Sequence, residues 1–247
     1  MRKTYILAAA AALTLLAACK KSSEDLQLPA VTDYYPLVTG KYITYSLDST
    51  VFTNLGQTKE IHSYQVKLMV DSQITDNLGR KAYRIIRYIR SNPVSAWIPD
   101  NTFMAVPADQ SLEFIENNLR FIKLKEPLRD GFSWKGNKYI DTYSSGSTLK
   151  YLDDWDYTYD SLNLSAKVGA LNFDSTVTVH QQDVFYGTDP ATVPNTVFAE
   201  KDFSSEKYAK NIGLIYREFI HWEYQHIPGG MATYEGYGVL MKIIDHN

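Results

Sequence analysis

Through most of the chain, apolar and polar residues alternate with a period of two, as in strands whose successive side chains point to opposite faces. The plainest case is Asp154-Trp155-Asp156-Tyr157-Thr158-Tyr159-Asp160, where polar and aromatic residues alternate without a break. Strands are also predicted over residues 42–47, 64–70, 82–89 and 176–180. Each is rich in the β-branched and aromatic residues that suit a pleated, half-buried surface. Residues 112–115 and 119–122 flank Glu116-Asn117-Asn118, a hairpin signal because asparagine tolerates positive φ. Two late strands cover 214–224 and 237–244, with Pro228-Gly229-Gly230 as the turn between them. Helical signals are sparse. The best is 204–211, with a serine to cap its start and Gly213 to end it. Many closely spaced strands with turn signals between them predict an all-β domain, an antiparallel sandwich or a barrel, with one or two short helices. A weak echo links Pro36-Leu37-Val38-Thr39-Gly40-Lys41-Tyr42 to Pro127-Leu128-Arg129-Asp130-Gly131-Phe132-Ser133-Trp134. Reuse of one good turn-to-strand entry explains it better than a true duplication does.

The alternation is absent at the N-terminus. Met1-Arg2-Lys3-Thr4 carries two positive charges, and residues 5–18 are apolar but for Thr14. A basic start, an apolar core of this length and small residues at its end make a secretory signal. The stretch falls short of the roughly 20 residues a membrane-spanning helix needs. A helix of a globular domain would also keep one polar face.

Leu16-Ala17-Ala18-Cys19 resembles the lipobox of bacterial lipoproteins. The resemblance implies cleavage after residue 18 and lipidation of Cys19, which becomes the mature N-terminus. Each buried CH₂ of an acyl chain contributes roughly 0.8 kcal/mol, and two or more chains give stable anchoring. Cys19 is the single cysteine, so the mature domain has no internal disulfide and must rely on its core. Lys20 stands where an aspartate would imply inner-membrane retention, so the resemblance implies the outer membrane. It leaves the periplasmic or surface face undetermined. The predicted organisation is a signal peptide at 1–18, a lipidated cysteine and flexible tether at 19–32, and a single β domain at 33–247.

Two further segments carry a second resemblance. Tyr35-Pro36-Leu37-Val38-Thr39-Gly40-Lys41-Tyr42-Ile43-Thr44-Tyr45 and Tyr208-Ala209-Lys210-Asn211-Ile212-Gly213-Leu214-Ile215 resemble the opening and closing segments of small Bacteroidetes-type envelope lipoproteins of an uncharacterised family. Ile43 and Asn211 depart from the tryptophan and glycine usual there. The resemblance brings no catalytic residue with it. It implies a half-open barrel with an apolar concave face.

Composition narrows the function. Of 25 Lys and Arg, Arg2 and Lys3 leave with the signal, so 23 basic residues face 28 acidic ones. That balance argues against nucleic acid, whose phosphates call for surplus Lys and Arg, and against a polybasic membrane patch. His221 and His226 stand five apart, on opposite faces of a strand. His221 and Glu223 share a face, but two ligands fall short of the four of a structural zinc site. Asp154, Asp156 and Asp160 lie along an extended row, too spread to wrap one cation. Nucleophile, phosphate-loop and zinc-protease motifs are absent. The sequence therefore predicts no enzyme, no catalytic or metal-binding residue and no cofactor. It predicts a membrane-anchored module that contacts an envelope protein or a glycan; the alternative is a carrier of a lipid or other apolar ligand, with its binding residues undetermined.

Overall fold

The computed structural model describes residues 29–247. The signal segment, Cys19 and the tether as far as residue 28 lie outside the described residues. The docked chain begins slightly ahead of the predicted domain start, because Val31 is already buried in a three-residue 3-10 turn, Val31–Asp33.

Twelve strands follow. The first six are β1 (Tyr42–Thr53), β2 (Thr58–Thr75), β3 (Lys81–Arg90), β4 (Ile98–Ala108), β5 (Ser111–Glu116) and β6 (Leu119–Lys125). The second six are β7 (Ser133–Lys135), β8 (Asp156–Val168), β9 (Leu171–Gly187), β10 (Phe198–Ala209), β11 (Gly213–His226) and β12 (Ala232–His246). They form one antiparallel sheet in the order β6-β5-β4-β3-β2-β1-β12-β11-β10-β9-β8-β7. Each half is a meander of consecutive strands, and β1 pairs with β12 to join the halves. Both Pro-Leu segments lead into the first strand of a six-strand meander.

The sheet curls until its two edges nearly meet, giving a nearly closed barrel. Edge strands β6 and β7 are stitched by Ile122 N to Gly136 O at 2.9 Å and by Trp134 Nε1 to Ile122 O at 2.8 Å. Tyr159 from β8 closes the same seam: its hydroxyl donates to Lys125 O at 2.8 Å and accepts from Lys125 N at 2.9 Å. Covering the edges in this way removes the exposed backbone that would recruit another chain.

Both ends of the described chain lie at one end of the barrel, its base. Asn211 N donates to Asp33 O at 2.6 Å, and the Asn247 side chain accepts from Tyr42 N at 2.7 Å. The β1–β2, β9–β10 and β11–β12 turns lie at the other end, the mouth, as the registers require. Between β7 and β8 the chain folds over the mouth as a plug. Asn137 Nδ2 donates to Leu152 O at 2.9 Å and Trp155 Nε1 to Tyr151 O at 2.7 Å, which pins the plug to itself. Leu152 and Trp155 are buried against the barrel interior. Two apolar clusters fill the interior and share Leu68 and Val239 as flanking residues.

The predicted helix at 204–211 is not formed. Residues through Ala209 belong to β10, and Ser204, Glu206 and Tyr208 point inward while Ser205 and Lys207 point out. Inward polar residues hide a strand's period of two, so local propensity and a serine cap outweighed it in the sequence. The two short helices expected are two 3-10 turns, at Val31–Asp33 and Lys150–Leu152. The acidic row is a solvated face. Lys135 Nζ bridges Asp154 and Asp156 at 2.6 and 3.0 Å, although Asp154 sits in the turn before β8 at φ +56°.

Candidate functional site

Strand β10 brings Asp202, Ser204, Glu206 and Tyr208 to the concave face at every second position. Its pairing with β11 sets Arg217 opposite Glu206, Phe219 opposite Ser204, His221 opposite Asp202 and Glu223 opposite Glu200. On β12, Met241, Val239, Tyr237 and Glu235 continue the same four rows. The barrel interior is thus a ladder that runs from a charged middle through an aromatic layer to an acidic mouth.

In the middle, Lys123 Nζ donates to Glu206 Oε1 at 2.7 Å, and Arg217 binds Glu116 with two parallel contacts of 2.9 Å. Gln181 and Tyr208 complete the Glu206 carboxylate at 2.9 and 2.6 Å, and Ser204 donates to Gln181 at 2.6 Å. Burial pushes the carboxyls of Glu116 and Glu206 up. For Glu116 the Arg217 and Lys123 charges outweigh it and hold the group down at about 2. Glu206 is likewise held below the ordinary carboxylate range by Lys123 and Arg217. The network is balanced in charge. Arg217 Nε is the exception to its satisfaction: it is buried and has no hydrogen-bond partner, with Glu206 Oε1 3.6 Å away. A buried donor left unmade costs about 1–3 kcal/mol.

Next to this network lies a cavity of about 290 Å³. Arg217, Lys123, Glu116 and Gln181 form its polar floor, and Tyr64, Trp155, Phe219 and Met241 are among its walls. The size is close to the lower end of small-molecule sites, which combine apolar walls with a few convergent polar groups.

Tyr151 and Tyr237 line both this cavity and an open cleft of about 780 Å³ at the mouth, and their hydroxyls lie 3.3 Å apart. The cleft also holds Glu200, His221, Glu223 and Glu235. His221 stacks on Tyr151 with ring centroids 3.8 Å apart, and its Nδ1 lies 2.7 Å from Asp202 Oδ1. One ligand atom each from Glu200, Asp202 and His221 lies within 4.8 Å of the others. Burial, then Asp202 and Glu223, raise the Glu200 carboxyl above its ordinary range. Gly236 is required here: at φ +123°, a Cβ would come within 2.2 Å of His221 O, so only glycine lets β12 pass this close.

No family model matches the chain, and no curated protein matches it. Among solved structures, one similar chain is described as an exported protein with a YmcC-like fold from Bacteroides fragilis NCTC 9343. It is 10% identical with a TM-score of 0.40, over 86% of this chain and 99% of that one. Another is described as a lipoprotein from Parabacteroides distasonis ATCC 8503, 10% identical with a TM-score of 0.26, over 85% and 98% of the two chains.

Cys19, the single residue to which the sequence assigned a chemical role, lies outside the described residues. His221 and Glu223 do share a face, and His226 stands apart, with its Nδ1 3.3 Å from Asn195 O. Sequence reasoning missed Glu206, Arg217, Lys123 and Gln181, and it missed Glu200 and Asp202 as neighbours of His221. The available signal was charge inside strands with an apolar share large enough to be buried, such as Arg217 in 214–224 and Lys123 in 119–125. Buried charge of that kind needs a partner.

Proposed function

We propose that the chain is a membrane-anchored envelope lipoprotein whose barrel holds a small amphipathic molecule. Its apolar body packs on the aromatic wall, and a hydrogen-bond-accepting head rests on the Lys123–Arg217 floor. The observation that carries this reading is the 290 Å³ cavity with its two-sided lining. Because the floor is balanced in charge, the head needs no net charge. The anchoring part of the reading rests on the pattern of residues 1–19, and outer-membrane placement rests on Lys20.

Native mass spectrometry with organic extraction tests the reading, on residues 22–247 made without the anchor. The expected result is a stoichiometric small molecule in the parent that is lost in Val239→Trp, which fills the cavity from its wall. A clean apo mass, together with no saturable quenching of tryptophan fluorescence by amphipathic probes, overturns it.

One observation favours a glycan-binding surface as a second reading. Tyr186 and Phe198 are exposed at the β9–β10 end of the mouth on the face that carries Glu200, while Phe185 points to the opposite face, and exposed aromatic faces suit sugar rings. A glycan array on the parent and on Tyr186→Ala decides it. Binding lost in the variant supports the surface, and an empty array ends it.

A further inference from the structure

We infer that Glu200, Asp202 and His221 form a binding site for a divalent transition-metal ion at the mouth of the barrel. The inference is independent of what the interior cavity holds. Three strands contribute to the site or border it, and each contribution follows from register. His221 on β11 pairs with Asp202 on β10, and the next row toward the mouth is Glu200, Glu223 and Glu235 on β10, β11 and β12.

That second row sets three carboxylates directly opposite one another, an arrangement that is destabilising without a counter-charge. Among the described residues none of the three makes an ion pair within 4 Å; the salt bridges of this region stop at His221 and Asp202. Asp202 makes the case sharper. It is 5% exposed, its Oδ1 lies 2.7 Å from His221 Nδ1, and the Glu200 carboxyl stands beside it. The Glu200 carboxyl beside it is itself an acceptor unless protonated. Two carboxylate oxygens within 4.8 Å of each other repel unless a proton or a cation stands between the groups.

The donor set selects the ion. An imidazole with two carboxylates suits zinc or a similar borderline transition ion, whereas calcium and magnesium prefer oxygen alone. Three protein ligands leave an open position for water or a ligand, here facing a cleft of about 780 Å³. The imidazole is already oriented by its stack on Tyr151, so little conformational freedom is lost on binding. Glu223 and Glu235 stand close enough to lower the energy of a positive charge, as a supporting outer layer.

The test is Zn²⁺ titration by calorimetry on the full chain carrying Cys19→Ser, after chelator treatment, so that no thiol competes. The expected result is saturation at about one ion per chain, with a rise in Tm when Zn²⁺ is present. His221→Gln and Glu200→Gln should each weaken binding by about tenfold or more. Both lie at the cleft surface, so their folding is checked by an unchanged circular dichroism spectrum, and the inference does not hang on Asp202→Asn. Ca²⁺ and Mg²⁺ are run in parallel. No saturable Zn²⁺ binding, Zn²⁺ binding unchanged in both variants, or Ca²⁺ bound as tightly as Zn²⁺ and indifferent to His221 would each overturn the assignment. The first of these outcomes would mean that a proton alone bridges Glu200 and Asp202.

Discussion

Glu116 shows how far one residue's surroundings decide its chemistry. It ends β5 and, from its sequence, reads as the start of a hairpin turn, yet it sits against the Arg217 guanidinium inside the barrel. Its folded-state pKa of about 2 lies below the unfolded value of roughly 4.3. A depressed folded value means the contribution to stability is complete above the unfolded pKa and is lost as pH falls through about 2. That contribution is ~3 kcal/mol at neutral pH. Urea unfolding of the parent should therefore weaken between about pH 5 and pH 2, and Glu116→Gln should flatten that slope while lowering stability at pH 7. An equal slope in the variant would contradict the pairing. Glu206 invites the complementary experiment. Lys123→Met strands a carboxylate that is almost fully buried, and removing one partner of such a pair costs about 3–5 kcal/mol. Chemical denaturation should show that loss, and a change below about 1 kcal/mol would mean that Gln181, Tyr208 and Arg217 hold the charge without the lysine.

At the scale of the element, the β5–β6 hairpin was legible because its chemistry is local. Asn117 and Asn118 take φ of +51° and +63°, as a two-residue turn matched to strand twist requires. Asn118→Val should destabilise by about 1–2 kcal/mol, since a branched residue is penalised in that region, and Asn118→Gly should be neutral or stabilising. Thermal melts of the two variants that coincide would refute the turn assignment. Strand β10 was not legible, for the opposite reason. Its inward positions are Asp202, Ser204, Glu206 and Tyr208, and their partners sit on β6, β9 and β11, as far as 83 residues away for Lys123 and Glu206. Hydrophobic alternation reveals a strand when its buried face is apolar. Where the buried face is polar, the pattern of the isolated segment reads as a solvated helix, and pairing across the sheet supplies the correction. The mouth cluster was hidden in the same way. His221 and Glu223 lie on one strand and were seen together, while Glu200 and Asp202 required the register between β10 and β11.

The whole molecule is one sheet whose weakest line is the β6–β7 seam. Trp134 and Tyr159 close it with side chains more than with a backbone ladder. Trp134→Phe keeps an aromatic ring in the core and removes the Nε1 donor to Ile122 O. Loss of one such bond is worth ~1 kcal/mol. Amide exchange at Ile122 should then quicken by about fivefold or more, with β1 and β12 unchanged. Equal acceleration in the central strands would show that the seam does not open by itself.

The base and the mouth lie at opposite ends of the strands, and both ends of the described chain sit at the base. Strand β2 runs 18 residues, about 60 Å at the usual rise per residue. A barrel tethered through its first residues would carry its base nearest the point of attachment, like a cup held by its foot, with the rim at the far end. Cargo would then arrive from above, by way of the aqueous gap or an opposing layer, and a neighbour that fills or empties the cup would have to reach the rim.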